Sequence, residues 1–157
     1  MTAYKIERGD PEKLDRIQHL WEKLNKLHEA KSPDFKERFQ KMNWERRKTN
    51  LLKKAGKIMF EYVVKNDNKE LIGYCITTIE KEDKKTGEID SIYVEEEFRQ
   101  YGIGKQLINN AVEWLLQEKT ETQKLLVGAG NETVIDFYRN FDFYPLHIVL
   151  QRKPIRE

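Results

Sequence analysis

Cysteine is nearly absent from this sequence: the single residue Cys75 excludes an intrachain disulfide. Long apolar runs are absent too, because no segment approaches the roughly 20 apolar residues that a membrane helix needs. The first five residues lack the apolar segment of a secretory signal peptide. These absences argue against disulfide-stapled secreted proteins and helical membrane proteins, and they indicate a soluble protein that we expect in the cytoplasm.

An excess of one charge sign is also missing. The sequence has 29 Lys and Arg against 27 Asp and Glu, which leaves a net charge of +2. Nucleic-acid-binding domains usually carry a clustered basic excess, which is not evident here, so no nucleic-acid partner is expected. The 157 residues suit one domain with one hydrophobic core, and we expect residues 1–157 to form it.

Hydrophobic periodicity predicts an α/β fold of the α+β type, in the order β-αα-βββ-α-β-α-β. The strands are predicted at residues 4–6, 58–64, 71–79, 88–94, 124–127 and 146–150, and the helices at residues 10–28, 32–56, 102–115 and 131–141. The strand–helix–strand unit at residues 88–127 predicts two parallel neighbours. The central sheet is therefore expected to be mixed but mostly antiparallel, with helices flanking it.

Two segments carry side chains, the charges at residues 32–56 and the thiol of Cys75, that are either structural or functional. The charges of the second helical segment, residues 32–56, are interpreted as a solvated face, and alternatively as a mobile cover over a binding site. Cys75 lies in the apolar run at residues 71–79 and is interpreted as a buried core residue. A catalytic thiol would need a histidine beside it, and the sequence places none of the three histidines there.

The stretch that carries chemistry joins the strand ending at Val94 to the helix that begins at Gly102-Ile103-Gly104. The first amides of a helix lack internal partners and carry part of the helix dipole, and glycines let an anion approach them closely. A P-loop would need Gly where Arg99 stands, and a dinucleotide-binding fingerprint would need a small residue where Leu107 stands. The spacing therefore predicts a phosphate site of another type; the alternative is a plain helix N-terminus without a ligand.

The sequence resembles the GNAT superfamily of acyl-CoA N-acyltransferases over about its last two thirds. One family signature is matched by Arg99, Gly102 and Gly104 after the strand end Ile92-Tyr93-Val94, and a second by Asn131, Phe137, Tyr138 and Phe143. The sequence departs from the family at Glu95-Glu96-Glu97, where proline is frequent, and at Asp142, which replaces a glycine. The segment after Phe143 has room for only one strand, so the acceptor side is either more open or completed by a second subunit.

The resemblance implies transfer of an acetyl group from acetyl-CoA to a primary amine, with a parallel strand pair that splays apart near Val94. The implied cofactor-binding residues are Ile92, Tyr93, Val94, Arg99, Gln100, Tyr101, Gly102, Ile103, Gly104, Lys105, Asn131 and Tyr138. Acetyl-CoA acts as a co-substrate, and no metal is expected. Asn131 is predicted to cap a helix and also to contact the cofactor.

Two catalytic roles are assigned. The resemblance makes Tyr138 the acid that protonates the thiolate; the alternative is an ordinary core aromatic. The base is expected on the strand at residues 88–94, with Asp90 as the first candidate and Glu88 as the second. Strand alternation predicts that both acids face the same side as Ile92 and Val94; the alternative is that both are solvated strand-end residues.

The acceptor is not evident from the sequence. A polyamine, an aminoglycoside, an amino acid, and a protein N-terminus or lysine all fit a small-molecule or peptide amine acceptor, and a homodimer is compatible with the short C-terminal segment. The competing function is a non-catalytic acyl-CoA-binding regulatory module, which would keep the phosphate loop without the acid and base. A purely structural domain would leave both signatures unexplained.

Overall fold

A five-stranded sheet organises the molecule. The structure, a computed structural model, describes residues 3–155. The strands are β1 (Tyr4–Gly9), β2 (Ala55–Lys65), β3 (Leu71–Glu80), β4 (Thr86–Val94) and β5 (Thr122–Leu125), and they lie side by side in that order. The first four strands pair antiparallel, whereas β4 and β5 are parallel. The predicted mixed, mostly antiparallel sheet is thereby confirmed.

Helices flank both faces of the sheet. They are α1 (Gln18–Lys31), α2 (Lys36–Lys41), α3 (Trp44–Lys54), α4 (Ile103–Gln117) and α5 (Ile135–Arg139), with 3-10 turns at Pro11–Ile17, Glu96–Tyr101 and Glu132–Val134. The predicted start at Asp10 is confirmed, because its carboxylate accepts a hydrogen bond from the Glu12 amide at 2.9 Å. The segment predicted as one helix at residues 32–56 is instead α2 and α3. Asn43 adopts an extended backbone between them, and its side chain caps α3 by accepting from the Arg46 amide at 2.9 Å.

Each face of the sheet has its own apolar cluster. On one face, Trp44 and Leu51 of α3 pack with Trp21 of α1 against strand residues that include Phe60 and Tyr74. On the other face, α4 buries a continuous stripe: Ile103, Leu107, Ile108, Ala111 and Leu115 are completely shielded from solvent. Because these positions recur every three or four residues, they form one side of the helix, which anchors its N-terminus beside the end of β4.

The interpretation of Cys75 as a buried core residue is confirmed. Its side chain lies on β3 in the α4-side cluster and is 1 % exposed. Burial raises the pKa of its thiol to about 12, so the thiolate that a nucleophile needs is not populated at neutral pH.

No helix within residues 3–155 combines the length and apolarity that crossing a membrane requires.

The predicted strand at residues 146–150 is wrong for this structure. Residues 143–155 contain no helix or strand, and Leu146, Ile148 and Leu150 are 83–92 % exposed. Alternating apolar residues form a strand only when an edge pairs with the backbone and a surface covers the apolar side. Neither is supplied to this segment by the rest of the described chain.

Candidate active site

The loop before α4 has the geometry of an anion site. Gly102 takes the left-handed conformation with φ of 77°, and no atom lies within 4 Å of where its side chain would be. The Gln106 amide already donates to the Gly102 carbonyl at 3.1 Å. Within the described residues, the amides of Ile103, Gly104 and Lys105 have no such partner, so the open end of α4 presents three donors to the space beside Gly102.

Arg99 holds this loop to the end of β4. Its Nε atom donates to the Val94 carbonyl at 2.8 Å, and its guanidinium lies 5.4 Å from the centre of the Tyr93 ring. The side chain is therefore partly used for positioning, while its terminal nitrogens stay available to an anion. Three of the neighbouring predicted residues, Gln100, Tyr101 and Lys105, are exposed around the loop. Ile103, the first residue of α4, is buried.

The acidic run before the loop is only partly solvated. Glu96 and Glu97 are exposed to solvent. Glu95 instead pairs with Lys23 of α1 at 2.9 Å, and its side chain is 19 % exposed. One of the three negative charges is thus neutralised beside the anion site.

Strands β4 and β5 separate early. Their pairing runs only from Thr86 with Thr122 to Ile89 with Leu125. Farther along β4, the Glu95 amide donates to the Ile72 carbonyl of β3 at 2.8 Å, so strand alternation turns the backbone groups of Val94 and Ile92 away from β3. They face the side that β5 has left, which is an open strand edge as predicted. The separation begins after Ile89 rather than near Val94.

A β-bulge changes which way the two candidate acids face. Ile76 of β3 pairs with Ser91, but the next residue, Thr77, pairs with Ile89, so Asp90 is skipped. The extra residue breaks the strict alternation of β4. Ile89, Ile92 and Val94 pack on the α4 side, whereas Glu88 and Asp90 contact α3 on the opposite side. The prediction that both acids share a face with Ile92 and Val94 is therefore wrong.

Asp90 is surrounded by donors. Its Oδ1 atom lies 3.0 Å from Lys54 Nζ and 3.5 Å from Arg47 Nη2, and its Oδ2 atom accepts a hydrogen bond from Thr78. The Asp90 side chain is 2 % exposed. Glu88 shares the same ammonium, with Oε1 at 2.9 Å from Lys54 Nζ. The interpretation of both acids as solvated strand-end residues is wrong, because both side chains are buried in a charge cluster.

Lys54 forms ion pairs with both carboxylates. Burial is the largest single influence on its pKa and lowers it, but the hydrogen bonds to Glu88 and Asp90 more than offset that effect and raise the pKa above its ordinary value. The ammonium therefore stays charged at neutral pH. The interpretation of the charges at residues 32–56 as a solvated face fails for Lys54 and Arg47, which turn inward.

Tyr138 lies in the apolar cluster under α4, with Phe137 and Phe143 around its ring. Burial, followed by the proximity of Cys75, raises the pKa of its hydroxyl to about 12. The phenol therefore keeps its proton at neutral pH. The turn that follows α5 keeps Phe143 against Tyr138: Asp142 takes the left-handed conformation at φ of 64°, as its replacement of a glycine requires, and the Phe143 amide donates to the Tyr138 carbonyl at 3.2 Å.

Asn131 does not cap a helix. Its side-chain oxygen instead accepts a hydrogen bond from Lys31 Nζ at 2.8 Å, which ties the loop after β5 to the end of α1. Sequence reasoning missed Lys31, Arg47 and Lys54. Only the spacing of Arg47, Leu51 and Lys54 at i, i+4 and i+7 signals that the two cations lie on the same side of α3 as the buried Leu51. Among the described residues, no group of three or more His, Cys, Asp and Glu side chains could hold a metal ion.

Comparison with known proteins identifies the family. The model of the acetyltransferase (GNAT) family matches residues 21–143. An uncharacterized N-acetyltransferase from Methanocaldococcus jannaschii is 30% identical over 112 residues, covering 62% of this chain and 49% of the relative. Another from Archaeoglobus fulgidus is 39% identical over 61 residues, covering 39% of this chain and 42% of the relative. This chain thus matches about half the length of these curated relatives.

Solved structures show the same fold at low identity. A protein from Bacillus halodurans has a TM-score of 0.74 and 14% identity, covering 96% of this chain and 99% of that one. An aminoglycoside N-acetyltransferase in complex with CoA has a TM-score of 0.66 and 15% identity, covering 99% and 97%. Because the family model matches residues 21–143, more than half of the chain, the chain belongs to the GNAT family of acetyltransferases.

Proposed function

We propose that this protein transfers an acetyl group from acetyl-CoA to a primary amine by direct attack of the amine on the thioester. The observation that carries the proposal is the loop at Gly102, where unpartnered amides at the start of α4 lie beside the open edge of β4. Family membership supports acetyl transfer in general.

The residues of the loop suit a diphosphate. The amides of Ile103, Gly104 and Lys105 supply donors at the positive end of the α4 dipole, and the space at Gly102 admits phosphate oxygens. The exposed Lys105 and the free end of Arg99 add positive charge. When bound, acetyl-CoA supplies the activated acyl group; the chain contributes binding, orientation and proton transfer.

The open edge of β4 suits the rest of the co-substrate. An extended chain of amides can pair with a strand edge as an additional strand does, and the backbone groups of Ile92 and Val94 face that way. A backbone N–H aimed at the thioester carbonyl stabilises the negative charge that develops there during attack. Ile92, Tyr93 and Val94 are thus proposed to hold the arm, and Asn131 to contact it from the loop after β5.

Tyr138 is proposed as the acid. During the reaction the amine nitrogen bonds to the acyl carbon and the carbon–sulfur bond breaks, which leaves a thiolate. The Tyr138 hydroxyl, which is protonated at neutral pH, donates its proton to that thiolate. The base takes the first proton of the acceptor ammonium, so that the neutral amine attacks, and the second proton, which the nitrogen loses as the amide forms, returns through solvent to the Tyr138 oxygen, so the exchange balances.

For the base, the structure favours Glu88 over Asp90, reversing the order expected from sequence. Both oxygens of Asp90 are engaged, Oδ2 by Thr78 and Oδ1 by Lys54 and Arg47, so the carboxylate is already used in holding these partners. Glu88 contacts Lys54 through its Oε1 atom. We propose that Glu88 accepts the proton of the amine through a water molecule, which its burial beside α3 makes necessary.

Two measurements test the function. Calorimetry should show micromolar binding of CoA by the wild-type protein and loss of binding in Gly104→Val, whose side chain would crowd the amides while the fold tolerates it, since only Phe137 lies near, at 3.7 Å. Asn109→Val, at an exposed position of the same helix, is the matched control. Unchanged affinity in folded Gly104→Val would remove the loop from the site.

Turnover is measured as CoA release with a thiol reagent, using polyamines, aminoglycosides, amino acids and peptides as acceptors. The assay is clean because the single cysteine of the protein is buried. Release with at least one amine supports an enzyme. Binding of CoA without release for any amine would instead favour the non-catalytic acyl-CoA-binding module.

A further inference from the structure

We infer that Arg47 and Lys54 of α3 hold Asp90 in the β-bulge of β4, and that this clamp positions the point at which β4 separates from β5. Asp90 is then a positioning residue and not the base. The catalytic consequence rests on the proposed acetyl transfer, but the clamp itself is a property of the fold and can be tested without turnover.

The bulge and the separation coincide at one residue. Asp90 is the residue skipped in the pairing with β3, and it follows directly after Ile89, the last residue paired with β5. A bulged residue loses its regular partners in the sheet, so its backbone groups need others. The Asp90 carbonyl has found one outside the sheet: Arg47 Nη2 donates to it at 3.1 Å.

The same guanidinium reaches the side chain of the bulged residue. Arg47 Nη2 lies 3.5 Å from Asp90 Oδ1, and Lys54 Nζ lies 3.0 Å from the same atom. A carboxylate that is 2 % exposed is costly to bury unless it is paired and hydrogen-bonded, and the partners from α3 and β3 meet that need. Arg47 therefore contacts both the backbone carbonyl and the side-chain carboxylate of Asp90.

Helix α3 is firmly seated, which lets it act as the fixed end of the clamp. Trp44 and Leu51 are buried against the sheet, and the Trp44 indole donates to Asp15 Oδ1 at 2.7 Å. Arg47 and Lys54 project from the same stripe as Leu51. Since the Asp90 carbonyl turns to α3, β4 keeps its shape without β5 beyond Ile89, and the edge beyond it stays open.

The structural test uses hydrogen exchange of the backbone amides at residues 89–92. In Arg47→Met these amides should exchange at least about tenfold faster than in the wild type, because loss of the clamp frees a local opening. Lys53→Met, at an exposed position of the same helix, is the matched control and should leave them unchanged. Protection equal to wild type in folded Arg47→Met would overturn the clamp, whatever the activity of the protein.

The kinetic test separates positioning from binding. Arg47→Met should lower kcat by about 10–100-fold, the range found when a supporting residue of a site is removed, while calorimetry shows a much smaller loss of CoA affinity, because the Gly102 loop that is proposed to hold the diphosphate is intact. Arg47→Lys keeps the charge but cannot span the carbonyl and the carboxylate, so it should recover only part of kcat. Equal losses of kcat and CoA affinity, or full recovery in Arg47→Lys, would contradict a two-point clamp.

The pH profile of kcat/KM in Asp90→Asn decides between positioning and base. A positioning residue lowers the profile at every pH and leaves its acidic limb in place. Disappearance of that limb would make Asp90 the base and overturn the inference. If the wild-type protein releases no CoA with any amine, the proposed function fails, and hydrogen exchange in Arg47→Met still decides the clamp.

Discussion

At the scale of single residues, the hydroxyl of Tyr138 carries the sharpest catalytic assignment. Its ring is held in the α4-side cluster by Phe137 and Phe143, so removal of one oxygen in Tyr138→Phe should leave the fold intact. If the phenol protonates the thiolate, kcat should fall by about 10²–10⁴-fold, as general acids usually contribute. Calorimetry should show unchanged acetyl-CoA affinity. If Tyr138→Phe keeps the wild-type kcat where the chemical step limits the rate, Tyr138 is only a core aromatic residue.

Glu61 makes a prediction about stability at the same scale. It lies buried on β2 below α4, where Asn110 donates to its carboxylate at 3.2 Å. Burial raises its pKa above the ordinary 4.5, more than Asn110 and Arg8 lower it. The fold thus favours the neutral form, and the charged form costs stability once the pH exceeds the pKa of the unfolded chain.

Glu61→Gln should therefore raise the melting temperature at pH 7, because the amide keeps an oxygen for Asn110 and carries no charge. The gain should shrink as the pH falls toward 4.5 and vanish below it, since Glu61 is then neutral in both states. Thermal unfolding from pH 4 to 8 measures this. Glu113→Gln, an exposed position on α4, is the control, and an equal gain there would remove burial as the cause.

At the scale of elements, the contact between α1 and the loop after β5 depends on Gly130. Its φ is 96°, and a side chain there would lie 1.9 Å from the Lys31 backbone oxygen. That oxygen cannot move without shifting the end of α1, whose Lys31 side chain also binds Asn131. The glycine allows the loop to lie directly on the helix.

Gly130→Ala should destabilise the protein by about 1–3 kcal/mol, since strained backbone at a left-handed position typically costs that much before any clash is counted. Urea unfolding measures the change. Gly128→Ala is the control two residues earlier, because nothing lies within 4 Å of its added carbon and its φ is not positive. Equal stability of the two variants would mean that the loop does not rest on α1.

At the scale of the whole molecule, the segment after Phe143 leaves an apolar surface open. Leu146, Ile148 and Leu150 are exposed, and so is Leu126 just beyond β5, the last strand of the sheet. A free strand edge and an alternating apolar segment in one chain favour pairing between copies. We therefore expect a homodimer in which the partner covers this apolar surface.

Sedimentation at increasing protein concentration should show a monomer–dimer equilibrium. Ile148→Lys places a charge in the middle of the apolar segment and should shift that equilibrium to monomer, whereas Gln151→Lys, in the same segment, should leave it unchanged. A wild-type protein that stays monomeric across the range would contradict the prediction.

Local signals in the sequence were sufficient for the order of the first five strands, the Asp10 cap and the start of α4 at Gly102-Ile103. Each depends on backbone preferences and hydrogen bonds within a few residues, so a short stretch of sequence determines it. Three predictions were wrong: the side of the sheet that the acids of β4 face, the single helix at residues 32–56, and the strand at residues 146–150. The first depends on the bulge at Asp90, where α3 supplies partners that β4 cannot show by itself.

The arrangement of the site was decided by contacts between distant parts of the chain. Arg47 and Asp90 are 43 positions apart, and Lys31 and Asn131 are 100 apart. A lysine or arginine on a polar helix is usually solvated, and only burial of a carboxylate opposite it turns it inward. The sequence alone determined the local pattern from which acyl-CoA-binding residues are predicted. The tertiary structure decided which charged side chains meet, because an ion pair depends on a proximity in space that the order of residues along the chain does not encode.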